Sequence, residues 1–124
     1  RPPRSTLFPY TTLFRSEEIV KTNTLIEEIT GEPVRYIRPP YGSYSNSLLM
    51  QINMTPVLWS VDPEDWNTDN TGQVVKSVVA NVKCGDIILL HDIYDSSVAA
   101  ALEIVDELKA KGFIFVTVDQ LLLD

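Results

Sequence analysis

From residue 17 to the end of the chain, the period of the apolar positions switches back and forth, and the switches read as helices alternating with strands. "SEEIVKTNTLIEEITG" sets Ile19, Val20, Ile26 and Ile29 along one side of a helix, with Ser16 as its cap and Gly31 as its stop. "VRYIR" predicts a short strand running into Pro39-Pro40, a pair that a helix does not precede. "SNSLLMQINM" predicts a short helix, and "PVLWSV", opened by Pro56, a second strand. "TGQVVKSVVANV" gathers Val74, Val75, Val78, Val79 and Val82 on one helical stripe. "DIILLH" is apolar almost throughout, as suits a third strand covered on both faces. "SVAAALEIVDELKAKG" is the strongest helix, with Val98, Leu102, Val105 and Leu108 as its expected apolar face. Its Lys109 and Lys111 sit where a helix C-terminus favours cations. "FIFVTV" predicts a fourth strand and "DQLLLD" a closing helical turn.

Strands separated by helices imply parallel pairing through right-handed crossovers, hence an α/β fold. A complete (β/α) barrel needs about 250 residues, and residues 17–124 supply less than half of that. The expected architecture is therefore the C-terminal part of a barrel, with a small open α/β sheet as the other reading.

The opening "RPPRSTLFPYTTLFRS" has neither a helical nor an alternating period and contains no acid, whereas "EEIV" starts an acidic pattern directly after it. It is similar, through all sixteen residues, to one reading frame of a widely used short-read sequencing adapter. Residues 1–16 are accordingly expected to be non-native, and residues 17–124 to carry the domain. A genomic copy encoding other residues there would refute this.

Net charge is −7 with no cluster of Lys and Arg, which argues against nucleic acid as a partner. No apolar run approaches the roughly 18 residues of a membrane span. The single cysteine, Cys84, excludes an internal disulfide and is expected to be a small packed residue.

Candidate chemistry collects at the C-terminal ends of the expected strands. The first ends in Arg38 followed by "PPYG", the second in "DPEDW" at residues 62–66, the third in His91-Asp92. In parallel α/β folds that edge is where ligands and catalytic groups sit. Strand alternation puts Leu89 and His91 on one face and Leu90 on the other. Blander readings exist for each piece: "PPYG" as a tight loop, Asp62 bonding its own backbone, Trp66 as packing. One histidine and scattered carboxylates do not supply metal-ligand spacing.

Taken together, "RPPYG", "DPEDW" and "LLHD" resemble the polysaccharide deacetylase family, the NodB-like carbohydrate esterases that remove N-acetyl groups from peptidoglycan or chitin. The resemblance covers residues 17–124 and implies a distorted (β/α) barrel. It implies a divalent metal, commonly zinc, that polarises the acetamide and a water. It casts His91 as the general acid and Asp65 as the carboxylate that orients its ring and favours the imidazolium. Arg38 then orients the catalytic base, the Tyr41 backbone N–H helps bind the oxyanion, and Trp66 and Leu89 wall the substrate pocket. Asp62 and Asp92 would support the site from behind or cap loops. The family's "TFDD" and "HxxxH" motifs, which carry the base and the metal ligands, do not occur in this sequence. The resemblance thus implies a piece of a deacetylase with no metal site of its own, inactive alone and poorly stable. The family further implies a glycan partner (peptidoglycan first, with chitin oligomers and acetylated xylan open) and a secreted or cell-surface location. A non-catalytic glycan-binding module using Trp66 and Tyr41 as sugar platforms is the alternative.

Overall fold

The computed structural model describes residues 10–39 and 52–122, and the chain divides into two compact units, Arg1–Leu58 and Trp59–Asp124.

In the N-terminal unit, α1 spans Tyr10–Thr30. The helix starts well before Ser16, which lies inside it and not at its cap. The reason is local: between Pro9 and Ser16 no Gly or Pro interrupts the chain, and proline is tolerated just at a helix start. The expected stop holds. Gly31 takes φ +76°, a left-handed value cheap only for glycine, and its N–H closes on the Glu27 carbonyl at 2.8 Å. The expected apolar side does not: Val20, Ile26 and Ile29 are exposed, while Ser16, Ile19 and Asn23 form a half-buried stripe at helical spacing. Asn23 Nδ2 donates to the sulfur of Met54, itself buried, at 3.2 Å.

β1 (Tyr36–Ile37) pairs in parallel with β2 (Thr55–Pro56), Tyr36 opposite Thr55 and Ile37 opposite Pro56. The rungs are Thr55 N–H to Arg35 O at 2.9 Å and Val57 N–H to Ile37 O at 2.8 Å. In a parallel ladder only alternate residues of a strand donate to a given neighbour, so Pro56 falls where no donor is needed. Both strands are shorter than expected. The helix expected over "SNSLLMQINM" lies outside the described residues apart from its end, where Ile52 and Met54 are buried.

In the C-terminal unit, the remainder of "PVLWSV" meets "DIILLH" in parallel at the single bridge Val61–Ile88, with Leu89 N–H to Val61 O at 2.9 Å. α2 (Thr71–Asn81) is capped by Asn70, whose Oδ1 accepts from the Gln73 N–H at 3.1 Å. α3 (Asp95–Ala110) packs against it. The core is the α2 stripe Val74, Val75 and Val78 meeting Ala100, Ile104 and Leu108, with Val79, Val82, Ile88, Leu90 and Phe113 packed on it. Each large apolar side chain buried this way contributes about 1.5–3 kcal/mol.

Two expectations fail here. The buried face of α3 is Ser97, Ala100, Ile104 and Leu108; of the expected four, Leu108 is in the core and Val105 half-buried, while Val98 and Leu102 point out at 44% and 67% exposure. The smaller residues let α2 approach closely, so hydrophobicity alone chose the wrong edge of the helix. Residues 113–117 form no strand: Phe113 N–H returns to Leu108 O at 3.0 Å, ending α3 at Gly112 (φ +95°), and Ile114, Phe115 and Val116 are exposed. A strand exists only against a partner, and among the described residues none pairs with this segment. α4 (Val118–Leu122) closes the described chain. Beside α3 an apolar cleft of about 660 Å³ opens, lined by Ile88, Leu90, Ile104, Leu108 and Phe113 among others. Cys84 is exposed at the turn before Ile88, not packed as expected, because the turn precedes the point where the chain enters the core.

Candidate active site

Asp65 and His91 meet in the C-terminal unit. Asp62 Oδ1 accepts from the Glu64 N–H at 2.9 Å, and this tight turn holds Glu64 in the left-handed region at φ 52°. The bland reading of Asp62 is therefore what the structure shows. The turn throws Asp65 inward at the start of a 3₁₀ turn, Asp65–Asn67, where it is 1% exposed. His91 arrives from the other side, at the end of the segment after Ile88. The alternation there is as expected: Ile88 and Leu90 pack on the core, and Leu89 is buried off it.

The carboxylate grips one residue twice. His91 Nδ1 lies 2.9 Å from Asp65 Oδ1, and the His91 N–H donates to Oδ2 at 2.7 Å. Ring and backbone are thus fixed together, and a carboxylate opposite Nδ1 selects the tautomer with the proton on Nδ1. The ring is one-third exposed while the carboxylate is closed to water. Nε2 is then the nitrogen left to exchange a proton with a bound molecule.

Asp65 titrates below the ordinary aspartate range. Burial is the largest single influence and opposes ionisation. It is outweighed jointly by the Ser97 hydroxyl, the His91 ring, the His91 N–H and the charge of an imidazolium. Ser97, in the first turn of α3, is 1% exposed, and its Oγ makes no hydrogen bond within geometric limits. Its effect on Asp65 is that of a nearby dipole.

Of the other expected site residues, Trp66 follows Asp65 in the 3₁₀ turn at 52% exposure and Leu89 is buried two residues before His91. Asp92 is exposed. Arg38 belongs to the N-terminal unit, one residue past β1, and is exposed. Tyr41 lies outside the described residues. Ser97 was missed in the sequence. The signal for it was present: a serine three before Ala100 and seven before Ile104 sits on a buried helical stripe.

The residues present do not fit a metal. The one histidine commits Nδ1 to Asp65, both Asp65 oxygens are engaged by His91, and among the described residues no three His, Cys, Asp or Glu side chains come together. No helix among the described residues is long and apolar enough to cross a membrane.

A family model described as polysaccharide deacetylase matches residues 10–57. With the relatives that follow, this match supports reading the chain as a fragment of a polysaccharide deacetylase. It is 42% identical over 105 residues to the peptidoglycan-N-acetylmuramic acid deacetylase PdaC of Bacillus subtilis, covering 85% of this chain and 22% of that protein. It is 38% identical over 104 residues to the peptidoglycan-N-acetylglucosamine deacetylase PgdA of Listeria monocytogenes, covering 84% and 22%. The solved structure of PdaC superposes with a TM-score of 0.84 at 40% identity, over 89% of this chain and 55% of that one. The chain thus spans about a fifth of the length of these two relatives.

Proposed function

We propose that this chain carries the acid side of the active site of a metal-dependent deacetylase that removes N-acetyl groups from cell-wall glycans, with the N-acetylglucosamine units of peptidoglycan as first substrate. The observation that carries the reading is the doubly held His91–Asp65 pair. A ring clamped at Nδ1 with its other edge toward solvent is the arrangement a general acid needs, since the donated proton must leave from Nε2 toward the departing amine. Beside it, Leu89 and Trp66 form apolar walls for the acetyl group and the sugar. Arg38 orients the base, and the Tyr41 N–H contributes to an oxyanion site, a type of preorganised donor that carries much of the stabilisation in acyl transfer.

The fold we assign is the C-terminal part of a distorted (β/α) barrel, supported by the parallel pairs β1–β2 and Val61–Ile88 and by the likeness to PdaC. Residues 17–124 form the deacetylase-derived part. The metal, zinc by family likeness, and the catalytic base belong to residues other than those of this sequence, and the site of action is the cell surface or beyond. The exposed Trp66 would serve a purely glycan-binding module equally well, but such a module has no use for a buried carboxylate that fixes a single ring.

The test is a hybrid enzyme. Residues 34–124 replace the matching part of the Bacillus subtilis relative, and acetate release from N-acetylated peptidoglycan is measured. The hybrid should turn over, whereas the chain alone with added zinc should release no acetate. An inactive but folded hybrid, or an active chain, would refute the assignment.

A further inference from the structure

The segment that delivers Asp65 and the segment that delivers His91 meet at the single bridge Val61–Ile88. Around it the Ser60 and Val61 N–H groups both donate to the Ile87 carbonyl, at 2.9 and 3.1 Å, and the Leu89 N–H to the Val61 carbonyl. So short a ladder sets its register weakly, and a slip by one residue would carry His91 to the opposite face. Side chains close the end of this ladder away from the site. Ser60 Oγ donates to Asp86 Oδ1 at 2.9 Å and accepts from the Ile87 N–H at 2.9 Å, so Ser60 meets Ile87 with side chain and backbone at once. The other Asp86 oxygen accepts from the Lys83 N–H at 2.6 Å, and the Asp86 N–H returns to the Lys83 carbonyl at 3.1 Å. Asp86 thereby closes the turn 83–86, where Gly85 takes φ +88°, and ties that turn to the neighbouring segment. The Lys83 N–H first, and the Ser60 hydroxyl after it, hold the Asp86 carboxyl below the ordinary aspartate range.

We propose that Ser60 and Asp86 are positioning residues for the Asp65–His91 pair: their clasp sets the register of the two segments at one end, so that carboxylate and ring meet at the other. The two pairs bracket the ladder. Ser60 precedes Asp65 by five residues and Asp86 precedes His91 by five, so both pairs join the same two segments at the same offset. Closing the turn needs only the bonds between Asp86 and Lys83, whereas the bonds through Ser60 reach across to the other segment. Ser60 is exposed and Asp86 half-buried, and hydrogen bonds in such places are individually weak. They count here because one bridge leaves little else to hold the register.

The use of the clasp rests on the role proposed for His91, but its test needs no turnover, so its failure would leave the deacetylase reading standing. His91 is the one histidine in the chain, and two of its NMR signals report the pair. Its amide is protected by the bond to Asp65 Oδ2, and its ring nitrogen shifts tell which nitrogen carries the proton. Both are followed in the unaltered chain, Ser60→Ala, Asp86→Ala and Ser60→Thr, with the amides of α2 and α3 as reference. Each alanine variant should speed exchange of the His91 amide roughly tenfold, the factor of about one lost hydrogen bond, and admit the tautomer protonated at Nε2. Exchange in α2 and α3 should stay within about threefold. Ser60→Thr, which keeps the hydroxyl, should match the unaltered chain. His91 signals unmoved by the alanine variants, a His91 change that only keeps pace with α2 and α3, or a threonine variant that behaves like alanine overturns the proposal. Should Ser60→Ala fail to fold, Ser60→Cys replaces it: the weak thiol should produce the same changes at His91, and unmoved signals would refute the role.

Discussion

Replacing Asp65 by alanine removes both holds on His91 at once. The backbone N–H is left without its acceptor, and the ring loses the carboxylate 2.9 Å away. Hydrogen bonds to a charged group contribute about 1.5–3 kcal/mol each. The ring is one-third exposed, so water recovers most of that contact, whereas the contact to the N–H has less to replace it. A net loss of about 3 kcal/mol follows. Asp65→Asn should cost only about 1 kcal/mol, because the amide oxygen can accept from the N–H while the amide NH₂ donates to the other ring tautomer. The assay is amide exchange of the core helices α2 and α3. At about 1.4 kcal/mol per decade, the alanine variant should exchange roughly 100-fold faster and the asparagine variant under roughly 10-fold faster. The sign of the pH dependence is fixed. Asp65 titrates in the folded chain below its ordinary 3.8, so its stabilisation is complete above that value and is lost as pH falls through the folded one. The gap between unaltered chain and alanine variant should therefore narrow only in strong acid. Exchange in Asp65→Ala within about threefold of the unaltered chain, equal effects of the two substitutions, or a gap indifferent to acid would each refute the geometry.

Leu108→Ala, at a fully buried position between α2 and α3, should cost about 3 kcal/mol, read as roughly 100-fold faster amide exchange of those two helices. Gly112→Ala should cost about 1–2 kcal/mol, all of it backbone strain, since an added Cβ meets nothing within 4 Å at φ +95°. The isolated chain should bind a hydrophobic dye and melt without a sharp cooperative transition, because Ile29, Ile93, Leu102 and Ile114 are exposed and an apolar cleft stands open beside α3; a steep melt of the monomer would contradict this.

How far the sequence revealed the protein depends on the kind of information each segment carries. Gly31 marks a helix end through local chemistry, and α2 and α3 fall close to where their periodicity puts them. The rotation of α3 was not legible from hydrophobicity, because close approach of α2 favours Ser97 and Ala100 over Val98 and Leu102. Strand length was not legible either. "FIFVTV" has every preference of a strand, yet pairing is a property of two segments and no described segment meets it. For the site, the residue types at the ends of the expected strands pointed to "DPEDW" and His91, the family resemblance singled out Asp65 within that stretch, and the structure joins it to His91. Ser97 escaped notice because its part depends on burial, which a polar residue in a helix does not announce.

The claim at the centre of this account is that His91 delivers a proton from a ring held by Asp65. It is tested most directly in the hybrid enzyme by His91→Ala, with acetate release and peptidoglycan binding measured side by side. Turnover should fall roughly 10²–10⁴-fold, the range of a lost general acid, while binding stays within a few-fold. Turnover within a few-fold of the unaltered hybrid would contradict it.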